Sequence, residues 1–244
     1  MSAIKQSLKK ILPPSLIRAG GQSLDALQRS KGWPEDTFHP WRRDTMRRMA
    51  ALKVSRKGER CSIIGNGPSL RETDLSKLKG EFSIGMNRIY LMYPELGFST
   101  SYYLSVNDLV VEQCAADIQA LKLPRFVSWR ARRWLRPEDD LYFLYTTYTG
   151  AGFQKNAAHR LWEGATVTYV AMQLAFYLGF QQVVLIGVDH NFVTQGKPNT
   201  TVVSEGDDPN HFSPSYFGKG FRWQLPDLET SELAYGMAKQ AYQA

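Results

Sequence analysis

Cys61-Ser62-Ile63-Ile64-Gly65-Asn66-Gly67-Pro68-Ser69 reads as an apolar strand, a turn bracketed by two glycines and the start of a helix. Glycine permits positive φ and close approach of the backbone to a partner, so such a turn can sit tightly against a ligand or a neighbouring strand. Ser69 and Glu72 have the spacing of a capping box, and a helix N-terminus offers free N–H groups to an anion. The pattern is neither GxGxxG nor a P-loop, because the P-loop lysine is missing. The plain alternative is an ordinary strand-to-helix turn.

Working outward, Phe82–Gly85 and Tyr102–Val106 read as the next strands, Arg125–Trp129 and Leu141–Tyr145 as shorter ones, and Val183–Gly187 as the most apolar of all. Ser69–Leu78 reads as helix and turn, and helices are expected over Leu109–Leu121, Val167–Leu178 and Asp227–Tyr242. Short apolar runs alternating with helices imply a mostly parallel sheet covered on both faces. The expected fold class is therefore α/β: a single Rossmann-like domain over 59–244, preceded by a basic helical extension over 1–58. The chain closes on a helix, where an α/β fold often adds one more strand.

Charge is uneven along the chain. Residues 1–58 carry 13 Lys/Arg against 4 Asp/Glu, whereas residues 59–244 carry 17 against 19. The body is nearly neutral, and an enzyme of nucleic acids places positive charge around its site, so nucleic acid is not an expected partner. In the extension Ile4, Leu8, Ile11 and Leu12 recur at helical spacing among Lys5, Lys9 and Lys10, until Pro13-Pro14. That pattern suits peripheral contact with an anionic membrane or docking on the chain's own body. Trp41 to Lys57 reads as a second basic helix, with Met46, Met49 and Leu52 toward the body.

Val167 to Phe180 is too short to span a bilayer and reads as a buried core helix. No apolar run followed by a small-residue cleavage site opens the chain, so no secretory signal is read there. Cys61 and Cys114 stand in no CxxC or Cys/His cluster, which gives neither a zinc site nor a disulfide framework. The expected setting is the cytoplasm, with the inner face of the membrane as the place of any peripheral contact.

Chemistry-bearing residues gather at strand ends. Asn66, Asn87 and Asn107 each follow a strand, at the sheet edge where α/β folds bind ligands. Their amides can donate and accept hydrogen bonds to a base, a ribose or a phosphate without adding charge; asparagines also favour turns for backbone reasons. The loop from Val188 to Pro226 carries His190, His211, Tyr216, Lys219 and Arg222, and from Val188 to Trp223 it reads as an acceptor-binding lid. His211 can accept a proton near neutral pH, and His190 is a second acid/base candidate or a strand-end histidine. Asp189, Asp207 and Asp208 could hold Mg²⁺, although Asp207-Asp208 could equally be a solvated turn.

Gly65–Leu70, Asp74–Leu78 and Met86-Asn87-Arg88, with Val167–Asp189 further on, resemble blocks of the bacterial sialyltransferases of glycosyltransferase family 42. The same blocks resemble the MptE-like family, named for an archaeal 6-hydroxymethylpterin diphosphokinase, from about residue 59 to the end. The sialyltransferase resemblance implies that Asn66, Asn87 and Asn107 bind CMP of a CMP-sugar, and that His211, in Pro209-Asn210-His211-Phe212, is the general base. Gly65, Gly67, Ser69, Gly187 and Asp189 complete the candidate nucleotide pocket. His190-Asn191-Phe192 departs from the tyrosines that hold the leaving phosphate in that family, which leaves Tyr216, Lys219 and Arg222 as candidate phosphate or acceptor contacts.

The first expectation is therefore a metal-free glycosyltransferase moving a sialic-acid-like sugar from a nucleotide donor to a hydroxyl acceptor. The second is an MptE-like diphosphokinase moving pyrophosphate from ATP to a pterin hydroxymethyl group with Mg²⁺. The third is a non-catalytic nucleotide-binding module.

Overall fold

The structure is a computed structural model and describes residues 34–35, 37–193 and 196–244. The Ile4–Leu12 segment lies outside the described residues. Seven strands form one parallel sheet: β1 (Arg60–Ile64), β2 (Ser83–Met86), β3 (Tyr102–Ser105), β4 (Arg125–Ser128), β5 (Leu141–Thr147), β6 (Arg160–Trp162) and β7 (Gln182–Ile186). Their spatial order is β6-β5-β4-β3-β2-β1-β7. The chain walks outward from β1 to β6 and then returns to lay β7 on the other side of β1. Cys61 stands opposite Val183 and Ile64 opposite Ile186. That reversal is a topological switch point, the place where ligands bind in open α/β sheets.

Helices cover both faces. α1 (Pro40–Leu52) begins at His39, whose Nδ1 accepts from Trp41 N at 3.3 Å, with Pro40 in the first turn. One turn, α2 (Tyr93–Leu96), precedes β3. The single helix expected over Leu109–Leu121 is instead two, α3 (Asp108–Gln113) and α4 (Ala115–Ala120), meeting at Cys114 with φ −116° and ψ 19°. α5 (Val167–Leu178) is the buried core helix its composition implies: every residue but Val167 and Phe176 is buried. Gly179, at φ 94°, ends it in the left-handed conformation. α6 (Leu228–Gln243) packs beside α5.

One core lies between the sheet and α5 and α6, and includes Met49 of α1. The other takes Val110 and Val111 of α3, Ile118 of α4, and Phe212, Tyr216 and Phe217 from the long loop. Two features differ from the sequence reading. β6 is only three residues long and carries no readable period; it is fixed by pairing with the end of β5. Within the long loop, β8 (Thr201–Val203) pairs antiparallel with β9 (Arg222–Gln224). Among the described residues no helix is long and apolar enough to cross a membrane.

Candidate functional site at the switch point

The turn after β1 is packed against the end of β7. Gly65 N donates to Ile186 O at 2.8 Å, and Gly67 N donates to Gly187 O at 2.9 Å. A Cβ on Gly65 would stand 2.2 Å from the Gly187 carbonyl oxygen, and one on Gly67 would stand 2.3 Å from Asp189 Oδ2. The glycines are therefore required by protein–protein approach. Ser69 is not a helix cap: the segment Pro68–Glu72 is a 3₁₀ turn that begins at Gly67 with no side-chain cap. Ser69 instead gives both its N–H (2.7 Å) and its hydroxyl (2.5 Å) to the Asp189 carboxylate. The anion held at this turn is the protein's own. Gly67→Ala is expected to destabilise the fold by about 1–3 kcal/mol, as overpacking does, with an unchanged denaturant m-value in urea unfolding.

A cavity of about 540 Å³ opens at this edge of the sheet. It gathers Asn66, Asn87 and Asn107, together with Gly65, Gly67, Gly187, Asp189, His190 and His211. The three asparagines are not equivalent. Asn107 caps α3, its Oδ1 accepting from Leu109 N (3.0 Å) and Val110 N (3.2 Å). Asn87 sits at φ 50°, and its Oδ1 accepts from the Ser105 hydroxyl at 3.1 Å. Asn66 is 8% exposed, and its Oδ1 is buried with no hydrogen-bond partner. A buried acceptor left unsatisfied costs about 1–3 kcal/mol, so Asn66 is where the cavity most needs a ligand donor.

His211 lies over the turn after β1, because Phe212 N donates to Asn66 O at 2.8 Å. Its Nδ1 is 2.7 Å from Asp208 Oδ2. Asp208 is buried and also accepts from Asn210 N (2.9 Å) and Phe217 N (3.2 Å). Beneath the imidazole lies Tyr216, with ring centroids 4.0 Å apart and planes 7° apart. A carboxylate on Nδ1 fixes the ring's orientation and leaves Nε2 as the nitrogen that can take a proton. The loop is held rather than free: Arg71 Nε donates to Phe212 O, and the Arg88 guanidinium donates to Tyr216 O.

Several expected contacts do not reach the cavity. Tyr216 is fully buried and its hydroxyl accepts from Arg88 N at 3.1 Å, so it supports His211 and is not open to a phosphate. Lys219 is exposed, and Arg222 pairs with Glu112 at 2.9 Å on the surface; neither lines the cavity. Asp189, Asp207 and Asp208 do not converge: Asp189 binds Ser69, Asp208 binds His211, and Asp207 is exposed. Among the described residues no group of three or more His, Cys, Asp or Glu is placed to hold a metal ion. Of these three carboxylates Asp189 alone lines the cavity. His190 lines the cavity, its Nε2 3.0 Å from Glu232 Oε1 and its ring edge-on to Tyr235.

The sequence reading missed the far wall. α5 directs its N-terminus at the cavity, with Thr166, Val167 and Thr168 on the lining. Thr166 caps the helix, accepting from Thr168 N at 3.3 Å. Beside it, Glu163 is buried, and desolvation pushes its carboxyl up while Arg130, 2.7 Å away, opposes that shift. Among the described residues the lining contains no Lys or Arg. The only signal for this wall was Thr166 one residue before an apolar helical run, a cap signature that says nothing of what the helix faces.

Fold and site together define an α/β protein with a cavity at a sheet switch point and a carboxylate-oriented histidine on its wall. The family model described as 6-hydroxymethylpterin diphosphokinase MptE-like matches residues 42–195, and the chain belongs to this MptE-like family. Among solved structures it is similar to the MAf glycosyltransferase from Magnetospirillum magneticum AMB-1, at 17% identity and a TM-score of 0.47. The likeness covers 83% of this chain and 35% of that one, so the chain spans about a third of that structure's length. No curated protein matches the chain.

Proposed function

We propose that this protein is a transferase acting on a nucleotide-activated donor, with His211 as the base that takes the proton of an acceptor hydroxyl. The observation that carries this reading is His211 on the wall of the switch-point cavity, with its Nδ1 2.7 Å from the buried Asp208 carboxylate. In the proposed step the acceptor oxygen forms a bond to the anomeric carbon of the donor sugar. The bond from that carbon to the phosphate oxygen breaks, and its electron pair leaves with the nucleotide. The hydroxyl proton passes to His211 Nε2, and the Asp208 carboxylate stabilises the imidazolium.

The charge of the cavity favours a donor with a single phosphate, such as a CMP-linked sugar, over ATP. A triphosphate needs cations, and among the described residues the lining offers no Lys or Arg. The N-terminus of α5, with its dipole and the Thr166 and Thr168 hydroxyls on the lining, suits one anionic group. A sialic-acid-like sugar is the member of this donor class that the sialyltransferase resemblance implies.

The family description favours a second reading, pyrophosphate transfer from ATP to a pterin hydroxymethyl group. That reading requires Mg²⁺, and the separation of Asp189, Asp207 and Asp208 weighs against it. Calorimetry with CMP, CDP, UDP, GDP and ATP, each with and without Mg²⁺, tests the choice. CMP is expected to bind best and without the metal. Binding of ATP only with Mg²⁺ would put the diphosphokinase first, and binding of no nucleotide would overturn both.

A further inference from the structure

We infer that Tyr148 and Glu163 form the nucleobase subsite of the cavity and select a base that carries an exocyclic amine; this rests on the nucleotide reading above. Tyr148 is 63% exposed, yet its position is fixed. Arg130 Nη2 donates to the Tyr148 hydroxyl at 2.8 Å, and the guanidinium carbon lies 4.5 Å from the ring centroid. Arg130 is itself held by Asp108 at 2.9 Å, by Val106 O at 3.2 Å and by Thr146 O at 3.1 Å. A surface aromatic needs no such frame for stability alone. A ring held rigid on a cavity rim is the arrangement that stacks a planar ligand, and it does so without an ordering cost on binding.

Glu163 supplies the selectivity. The same Arg130 nitrogen that donates to Tyr148 also donates to Glu163 Oε1 at 2.7 Å, so carboxylate and ring are neighbours on the lining. Arg130 faces two carboxylates, the half-buried Asp108 and the buried Glu163, which leaves this cluster one negative charge in excess. A hydrogen-bond donor on the ligand answers that excess; a carbonyl oxygen is repelled. Cytosine and adenine present an amine, whereas uracil presents a carbonyl.

Position fits as well. Tyr148 follows β5 and Glu163 follows β6, and both line the same cavity as Asn66 and His211, which stand at the β1 end of the sheet edge. A base there leaves the rest of a nucleotide to run along the sheet edge toward Asn66 and His211.

The test is calorimetry with CMP and UMP on wild type, Tyr148→Phe, Tyr148→Ala and Glu163→Gln. Wild type is expected to bind CMP about tenfold more tightly than UMP. Tyr148→Ala is expected to weaken CMP by about tenfold or more, since stacking contributes on that scale, while Tyr148→Phe keeps the ring and most of the affinity. Glu163→Gln keeps an acceptor for Arg130 and is expected to erase the preference for CMP. Should that variant fail to fold, the wild-type comparison still decides, because equal binding of CMP and UMP overturns the selection. CMP binding that survives Tyr148→Ala unchanged overturns the subsite alone, whereas absence of CMP binding by wild type overturns the nucleotide reading and this subsite with it.

Discussion

His211→Ala is expected to lower turnover by about two to four orders of magnitude while leaving donor affinity nearly unchanged. The expectation follows from where the imidazole is held. Asp208 and the stacked Tyr216 ring fix its plane, and its Nδ1 is committed to Asp208 at 2.7 Å. Only Nε2 is left to accept a proton, so removing the ring removes the acceptor of the acceptor hydroxyl's proton without touching Asn66 or α5. Asp208→Asn is expected to act in the same direction, because an amide can offer its N–H to Nδ1 and force the wrong tautomer. Single-turnover rates with donor affinity measured separately give the check. A variant that keeps near-normal turnover at saturating substrate would remove His211 from this role and bring His190 forward. A variant that loses donor binding but little turnover would make His211 a residue that orders its loop.

Six of the seven strands were legible as short apolar runs set between helices, whereas β6 and the strand order that makes the switch point were not. The three asparagines could be placed at one edge for the same reason: each directly follows a strand. What each one does was not legible. A capping asparagine such as Asn107 and an orphaned one such as Asn66 have the same local sequence signature, and only the neighbouring backbone separates them. The Gly67–Ser69 turn shows the same limit. Its glycines and serine read as a cradle for an external anion, but the anion that reaches it is Asp189, 120 residues away in sequence. The Asp208–His211 contact lies three residues apart and was within reach of sequence. Tyr148, Glu163 and Arg130 were not, because they follow β5, β6 and β4 respectively and no motif spans all three.

Arg42→Ala is expected to destabilise the protein by about 3–5 kcal/mol, whereas Arg47→Ala on the same helix is expected to change stability little. The two arginines belong to one basic run, and by charge alone they read as parts of an appended extension. Their surroundings differ. Arg42 is fully buried, and its guanidinium donates to Ala158 O at 2.5 Å and reaches Phe143 O at 3.5 Å. Nearby, Phe143 N donates to the Thr45 hydroxyl at 3.2 Å, and the Tyr177 hydroxyl donates to Met49 O at 2.9 Å. α1 is thus tied to β5, to the segment before β6 and to α5. Truncating Arg42 leaves a void and buried carbonyls without a donor, whereas the Arg47 side chain is 81% exposed and, among the described residues, bonds only Asp44. For a domain of this size the loss expected from Arg42→Ala corresponds to a fall in melting temperature of about 6–20 °C. Thermal unfolding of both variants beside wild type decides the matter. Equal melting temperatures for Arg42→Ala and wild type would make α1 an appendage, and the α/β body would then begin after it.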